Sequence, residues 1–207
     1  MFKILTRILS VFIQASAFWV LQSCAETSSA LRSRWETQDG VPVVIDSVYY
    51  AVSGSTPEEL QSEMERLGPK DAAAQRYATT EYDIRWTYRL RPKGQRCTLA
   101  QVEVGARFIV RLPYWNPPQS TSMETMEKWS RFIAGIRLHE AGHRDLALRA
   151  AGKILRKLQS MPGTMSCGEL DAAANYQGRT VLLEFHKLQA EYDDTTGHGV
   201  TQGVRLL

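Results

Sequence analysis

"MEKWSRFIAGIRLHEAGHRDLALRAAGKILRKL", residues 126–158, decides how this chain reads. Apolar residues recur through it at helical spacing: Met126, Trp129, Phe132, Ile133 and Ile136, then Leu146, Ala147, Ala150, Ile154 and Leu158. Steps of three and four put them on one face of a helix. The pattern predicts a long helix from about Thr121 to Ser160, broken at Pro162 and Gly163. His139 and His143 fall on the same stripe. They are one turn apart, so their imidazoles project to the same side. Glu140 points about a quarter-turn away from His139.

The segments before this helix have a different period. "VVIDSVYYAVSG" (43–54) is rich in Val, Ile and Tyr and predicts a strand ended by Gly54. "STPEELQSEMERLGP" (55–69) predicts a helix. Ser55 or Thr56 caps it, Pro57 suits its first turn, and Glu58 and Glu59 sit at its positive end. Leu60, Met64 and Leu67 form its stripe, and Gly68-Pro69 stops it. "TEYDIRWTYRLRP" (80–92) alternates with period two, and "CTLAQVEVGARFIVRLPYW" (97–115) predicts one or two further strands. Gly94 marks the turn between them, which predicts antiparallel pairing. After residue 160 a further helix is predicted from near Cys167 to about Tyr192. The tail "DDTTGHGVTQGVRLL" is predicted to be a loop. The expected architecture is α+β: an antiparallel sheet followed by two long helices.

The 207 residues suit one domain with a sizeable core. A net charge of +3 is too small to point to nucleic acid. Residues 1–25, "MFKILTRILSVFIQASAFWVLQSCA", have Lys3 and Arg7 and then an apolar run, Ile8 to Leu21, too short to span a bilayer comfortably. This reads as a signal peptide for export to the periplasm or cell envelope. "SCA" resembles a cleavage site, which releases a chain starting at Glu26. "LQSC" resembles a lipobox, in which the signal is 1–23 and Cys24 becomes a lipid-bearing membrane tether. Residues 26–42 read as a flexible lead-in and 43–207 as the domain. Either processing route leaves Cys97 and Cys167, an even number in an exported protein, and they are expected to form a disulfide. That bond closes a loop of about 70 residues and contributes roughly 4 kcal/mol on the chain-entropy model.

"HEAGH" (139–143) has the H-E-x-x-H spacing of zinc peptidases. Two imidazoles can ligate one Zn²⁺, the metal acidifies a bound water, and Glu140 acts as general base. Gly142 in a helix interior costs about 1 kcal/mol against Ala and suggests close packing or space beside a metal. A catalytic zinc takes a third protein ligand. No histidine follows at the compact three-His spacing, so the candidates are His186, His198, Glu184, Glu191, Asp193 and Asp194. Tyr192 could donate to an oxyanion, and Asp193 could orient a ligand imidazole through its second nitrogen. Tyr82, Trp86 and Tyr88 read as core, and Arg144 and "KILRK" (153–157) as a solvated face.

The chain resembles a bacterial family of predicted secreted zinc-dependent proteases, catalogued as domain of unknown function nine-two-two. The stretches "YYAVSGSTPEEL", "TTEYDIRWTYRL", "CTLAQVEV", "RLPYW", "HEAGH" and "YDDTTGHGVTQG" carry the resemblance, over roughly residues 45–203. It implies an exported, zincin-like metallopeptidase domain, and its histidine near the C-terminus maps onto His198 as third zinc ligand. The expectation is an exported zinc peptidase acting on protein or peptide substrates, with an edge strand that could bind the substrate as an added strand. Its rivals are a zinc-binding envelope scaffold without turnover and a structural lipoprotein.

Overall fold

The computed structural model describes residues 31–70 and 76–207. The segment read as a signal peptide, residues 1–25, and Cys24 within it lie outside them. Four strands, β1 (Leu31–Gln38), β2 (Val41–Val52), β3 (Thr79–Lys93) and β4 (Arg96–Trp115), form one sheet. Three α-helices, α1 (Pro57–Leu67), α2 (Met123–Gln159) and α3 (Cys167–Thr196), and a 3-10 turn, Val200–Gln202, complete the described chain. No helix among the described residues is long and apolar enough to cross a membrane.

The sheet order is β1-β2-β4-β3. β1 pairs with β2, and β3 with β4, antiparallel. The expectation of an antiparallel sheet fails at the centre, where β2 runs parallel to β4 from Val43↔Ala106 to Val52↔Trp115. The reason is hydrophobic. Of the second hairpin, β4 is the more apolar strand and buries Val104, Ala106, Phe108 and Leu112. β3 carries Glu81, Asp83, Arg85, Arg89 and Arg91 on one face. β4 therefore goes inside and β3 takes the edge, which leaves the two central strands pointing the same way.

Of the lead-in predicted for 26–42, the described part is corrected: Leu31–Gln38 is a strand and β2 begins at Val41, while residues 26–30 lie outside the described residues. Asp39 and Gly40 both have positive φ (50° and 79°) and turn β1 into β2, the conformation that Asp-Gly favours in two-residue hairpins. The hairpin signal was in the sequence, but the polar residues of β1 hid the strand before it.

The helices follow their caps. Thr56 caps α1, Ser122 caps α2, and Ser166 and Glu169 form a capping box on α3. α3 continues one turn past the predicted end, because residues to Thr196 keep helical bonds until Gly197 turns left-handed at φ 56°. The predicted loop after it contains the 3-10 turn.

Both long helices pack on one face of the sheet. Val43, Phe108, Ala151, Ile154, Leu158, Ala174 and Val181 form one core cluster. Leu60, Met64, Trp115, Phe132 and Ile136 form a second, under the other end of α2. Cys97 at the start of β4 is bonded to Cys167 at the start of α3, with Cα atoms 4.9 Å apart. The backbone bond from Cys97 N–H to Met165 C=O, 2.8 Å, runs beside it. This clamp fixes one end of α3, and the other end meets the middle of α2.

Candidate metal centre

At that meeting point His139 and His143 present their Nε2 atoms 3.2 Å apart. Asp193, near the end of α3, places Oδ1 3.1 Å from the first and 3.0 Å from the second. Among the described residues, these three are the group whose donor atoms could hold a metal ion, all within 4.8 Å of one another.

The imidazoles are oriented from behind. His139 Nδ1 is 3.0 Å from Gln202 Oε1, and His143 Nδ1 is 2.5 Å from Gln189 Oε1. The amide directions are set by their other ends. Gln189 Nε2 donates to His143 C=O at 2.9 Å, and Gln202 Nε2 donates to the Tyr192 hydroxyl at 2.9 Å. An amide oxygen only accepts, so each Nδ1 must carry the proton. Each neutral ring then turns a lone pair at Nε2 toward Asp193, itself an acceptor. Three acceptors converge on one point, an arrangement that a cation or added protons must neutralise.

The electrostatic environment points the same way. Burial alone would raise the Asp193 carboxyl, yet once protons are added at Nε2 the hydrogen bonds from His139 and His143 hold it well below the usual carboxylate range. Burial alone would lower His143, yet Asp193 and Gln189 raise it above the ordinary histidine value. The site favours positive charge at its centre.

Glu140 is buried next to this group. Burial raises its pKa, and the hydrogen bond donated by Thr80 Oγ1 to Oε2, 2.7 Å, opposes that rise. Thr80 is on the edge strand β3, so the sheet holds the carboxylate while α2 holds the histidines. His139, Glu140, His143 and Asp193 all line a cleft of about 700 Å³, with Tyr77, Thr80 and His198 among its other walls.

Not every expected role falls where the sequence placed it. His198, expected as third ligand, stands beside the group and not within it. Its Nδ1 is 3.5 Å from Asp193 Oδ1 and its side chain is half exposed. Asp193, expected to orient a ligand imidazole through its second nitrogen, faces the Nε2 atoms, and Gln189 and Gln202 hold the second nitrogens. Tyr192, expected as an oxyanion donor, lies under the site. Its ring stacks on His139 at 5.1 Å, and its hydroxyl donates to His139 C=O at 3.2 Å. Gly142 is explained by the same contact, because a Cβ there would meet the Tyr192 hydroxyl at 2.1 Å. Gly199 (φ 86°) also passes close, since its Cβ would lie 2.6 Å from the Val204 side chain and 3.0 Å from the His139 ring. Of the remaining candidates, Glu184 pairs with Lys153 on the surface, and His186 contacts Tyr82.

Thr80, Gln189 and Gln202 were missed. Thr and Gln are common surface residues, and only the contact with an imidazole or carboxylate in space distinguishes these three.

The sequence profile of a family described as bacterial protein of unknown function (DUF922) matches residues 47–199. The chain belongs to this family. The matched span covers Thr80, both histidines, Glu140, Gln189, Asp193 and His198, and ends before Gln202. No curated protein and no solved structure matches the chain significantly.

Proposed function

We propose that this protein is an exported zinc-dependent peptidase of zincin-like type. The observation that carries the reading is the convergence of His139 Nε2, His143 Nε2 and Asp193 Oδ1 beside a buried glutamate in an open cleft. Two imidazoles and a carboxylate are a donor set suited to catalytic zinc, which leaves a further position free. Zinc held there supplies a Lewis acid that polarises an amide carbonyl and acidifies water.

The chain's own groups do the rest. Glu140 takes a proton from the attacking water and passes it to the leaving nitrogen as the amide C–N bond breaks. A carboxyl whose pKa is raised by burial suits both halves of that task. Thr80 fixes the direction of Oε2. Gln189 and Gln202 keep the imidazole tautomers that present Nε2. His198 lines the cleft half exposed beside Asp193, and a substrate bound there would meet its ring.

The test is elemental analysis of the full chain with His143→Ala, Asp193→Ala and His198→Ala variants, beside peptide hydrolysis by wild type and Glu140→Gln. About one zinc per chain is expected. It should be lost in the first two variants and kept in the third. Glu140→Gln should keep the metal and lower turnover by about 10²–10⁴-fold. Zinc lost in His198→Ala but kept in Asp193→Ala would return the third ligand to His198. Zinc without hydrolysis of any peptide would leave a metal-binding envelope scaffold, and absence of zinc after loading would sink both readings.

A further inference from the structure

Thr80 borders a second cavity as well as the metal cleft. This cavity, about 490 Å³, lies between β3 and α3 and is walled by the consecutive residues 80–84 with Leu182 and His186. Successive side chains of a strand point to opposite faces, so five residues in a row can border one space only along the strand's edge. β3 is the end strand of the sheet, and among the described residues no strand pairs with its outer edge. The edge therefore presents main-chain N–H and C=O groups, the template for an added strand.

Beside that edge is a hole for a side chain. Tyr82, Ile84 and Leu182 give it apolar walls, and the exposed His186 ring closes one side. His186 Nδ1 is 3.2 Å from the Tyr82 hydroxyl, with ring centroids 5.9 Å apart. The acids at the edge are already compensated, Glu81 by Arg111 and Asp83 by Arg85. Nothing in the hole calls for a charged ligand group.

We infer that this hole is a subsite for one aromatic or large aliphatic side chain of an extended peptide lying along β3. Thr80 and Tyr82 are two residues apart on the same face, about 7 Å along the strand. The bound side chain therefore belongs to the residue two positions from the one opposite Thr80. Where cleavage falls rests on the peptidase reading, because Thr80 holds the proposed base, but binding in the groove does not depend on it.

The test is an NMR titration of isotope-labelled full chain carrying Glu140→Gln. The probes are acetyl-Ala-Ala-Phe-Ala-Ala-amide and its all-alanine counterpart at millimolar concentration. The phenylalanine peptide should shift the amides of Thr80 to Ile84 and the Leu182 methyls. The alanine peptide should bind about tenfold more weakly or worse, since the buried ring is lost. His186→Trp, an exposed substitution that fills the hole, should remove the phenylalanine preference, and His186→Ala should keep it. Absence of shifts along β3, equal response to both peptides, or an unchanged preference in His186→Trp would overturn the inference. Cleavage of a peptide mixture by the zinc-loaded wild type separates the two proposals. Groove binding without cleavage would count against the peptidase and for the subsite. Zinc-dependent cleavage with no preference two residues from the cut would do the reverse.

Discussion

The two ends of α3 are built from different chemistry. Its first half carries the bond from Cys167 to Cys97, the Ser166–Glu169 capping box, and the buried Leu170, Ala174 and Val181. Its last turns carry Gln189, Tyr192, Asp193 and Thr196, all turned toward the histidines of α2. The first end is held by a covalent bond and by apolar contact, which tolerates small displacements. The second is held by hydrogen bonds, whose strength falls off steeply with distance and angle. A rigid clamp at one end thus keeps the register that the directional network at the other end requires.

Removing the clamp gives the largest expected effect. Cys97→Ser with Cys167→Ser should cost about 4 kcal/mol of stability, read by denaturant unfolding with and without reductant. Zinc affinity should fall with it, because the clamp keeps the register of the site; an unchanged affinity would show that the two ends of α3 are independent. Gln189→Ala should act at the other end alone. It removes the acceptor of the His143 Nδ1 proton and should weaken metal binding by about 10–100-fold, measured by chelator competition, with little change in stability of the metal-free chain. Tyr192→Phe comes next. The hydroxyl serves the His139 carbonyl and Gln202, so its loss should cost about 1 kcal/mol in thermal unfolding and leave peptide turnover within a few-fold of wild type. A collapse of turnover with stability intact would restore Tyr192 as an oxyanion donor.

The smallest effect concerns a charge outside both regions. Asp46 on β2 accepts from Ser33 of β1 and Arg107 of β4. Those hydrogen bonds, Ser33 first, lower its pKa below the ordinary 3.8. A carboxyl depressed in the folded state stabilises above its unfolded pKa and loses that contribution as pH falls through the folded value. Asp46→Asn should therefore melt earlier than wild type near neutral pH, and the gap should close as pH falls below about 3.8. A gap that stays constant with pH would make the effect one of packing.

How much could be read in advance depends on the range of the interaction. α1 was legible from Thr56, Pro57 and Gly68, because caps and breakers act within one turn. The stripe of α2 announced both its length and the alignment of His139 with His143, since those two are neighbours through the helix itself. The Cys97–Cys167 pair followed from there being two cysteines left to pair in a chain read as exported. β1 was hidden because its residues are mostly polar, although Asp39-Gly40 announced the turn after it.

Order along the chain is enough for whatever local geometry repeats: helical faces, caps, hairpin turns, and the His-Glu-x-x-His spacing. The folded chain as a whole sets β4 and not β3 beside β2, since that depends on which strand loses more water. It alone brought Asp193, and not His198, between the two imidazoles. Those two residues are five apart in a segment crowded with polar side chains, and no local rule ranks them. The choice is made by where α3 ends against α2, a distance set by the sheet, the clamp and the packed faces of both helices together.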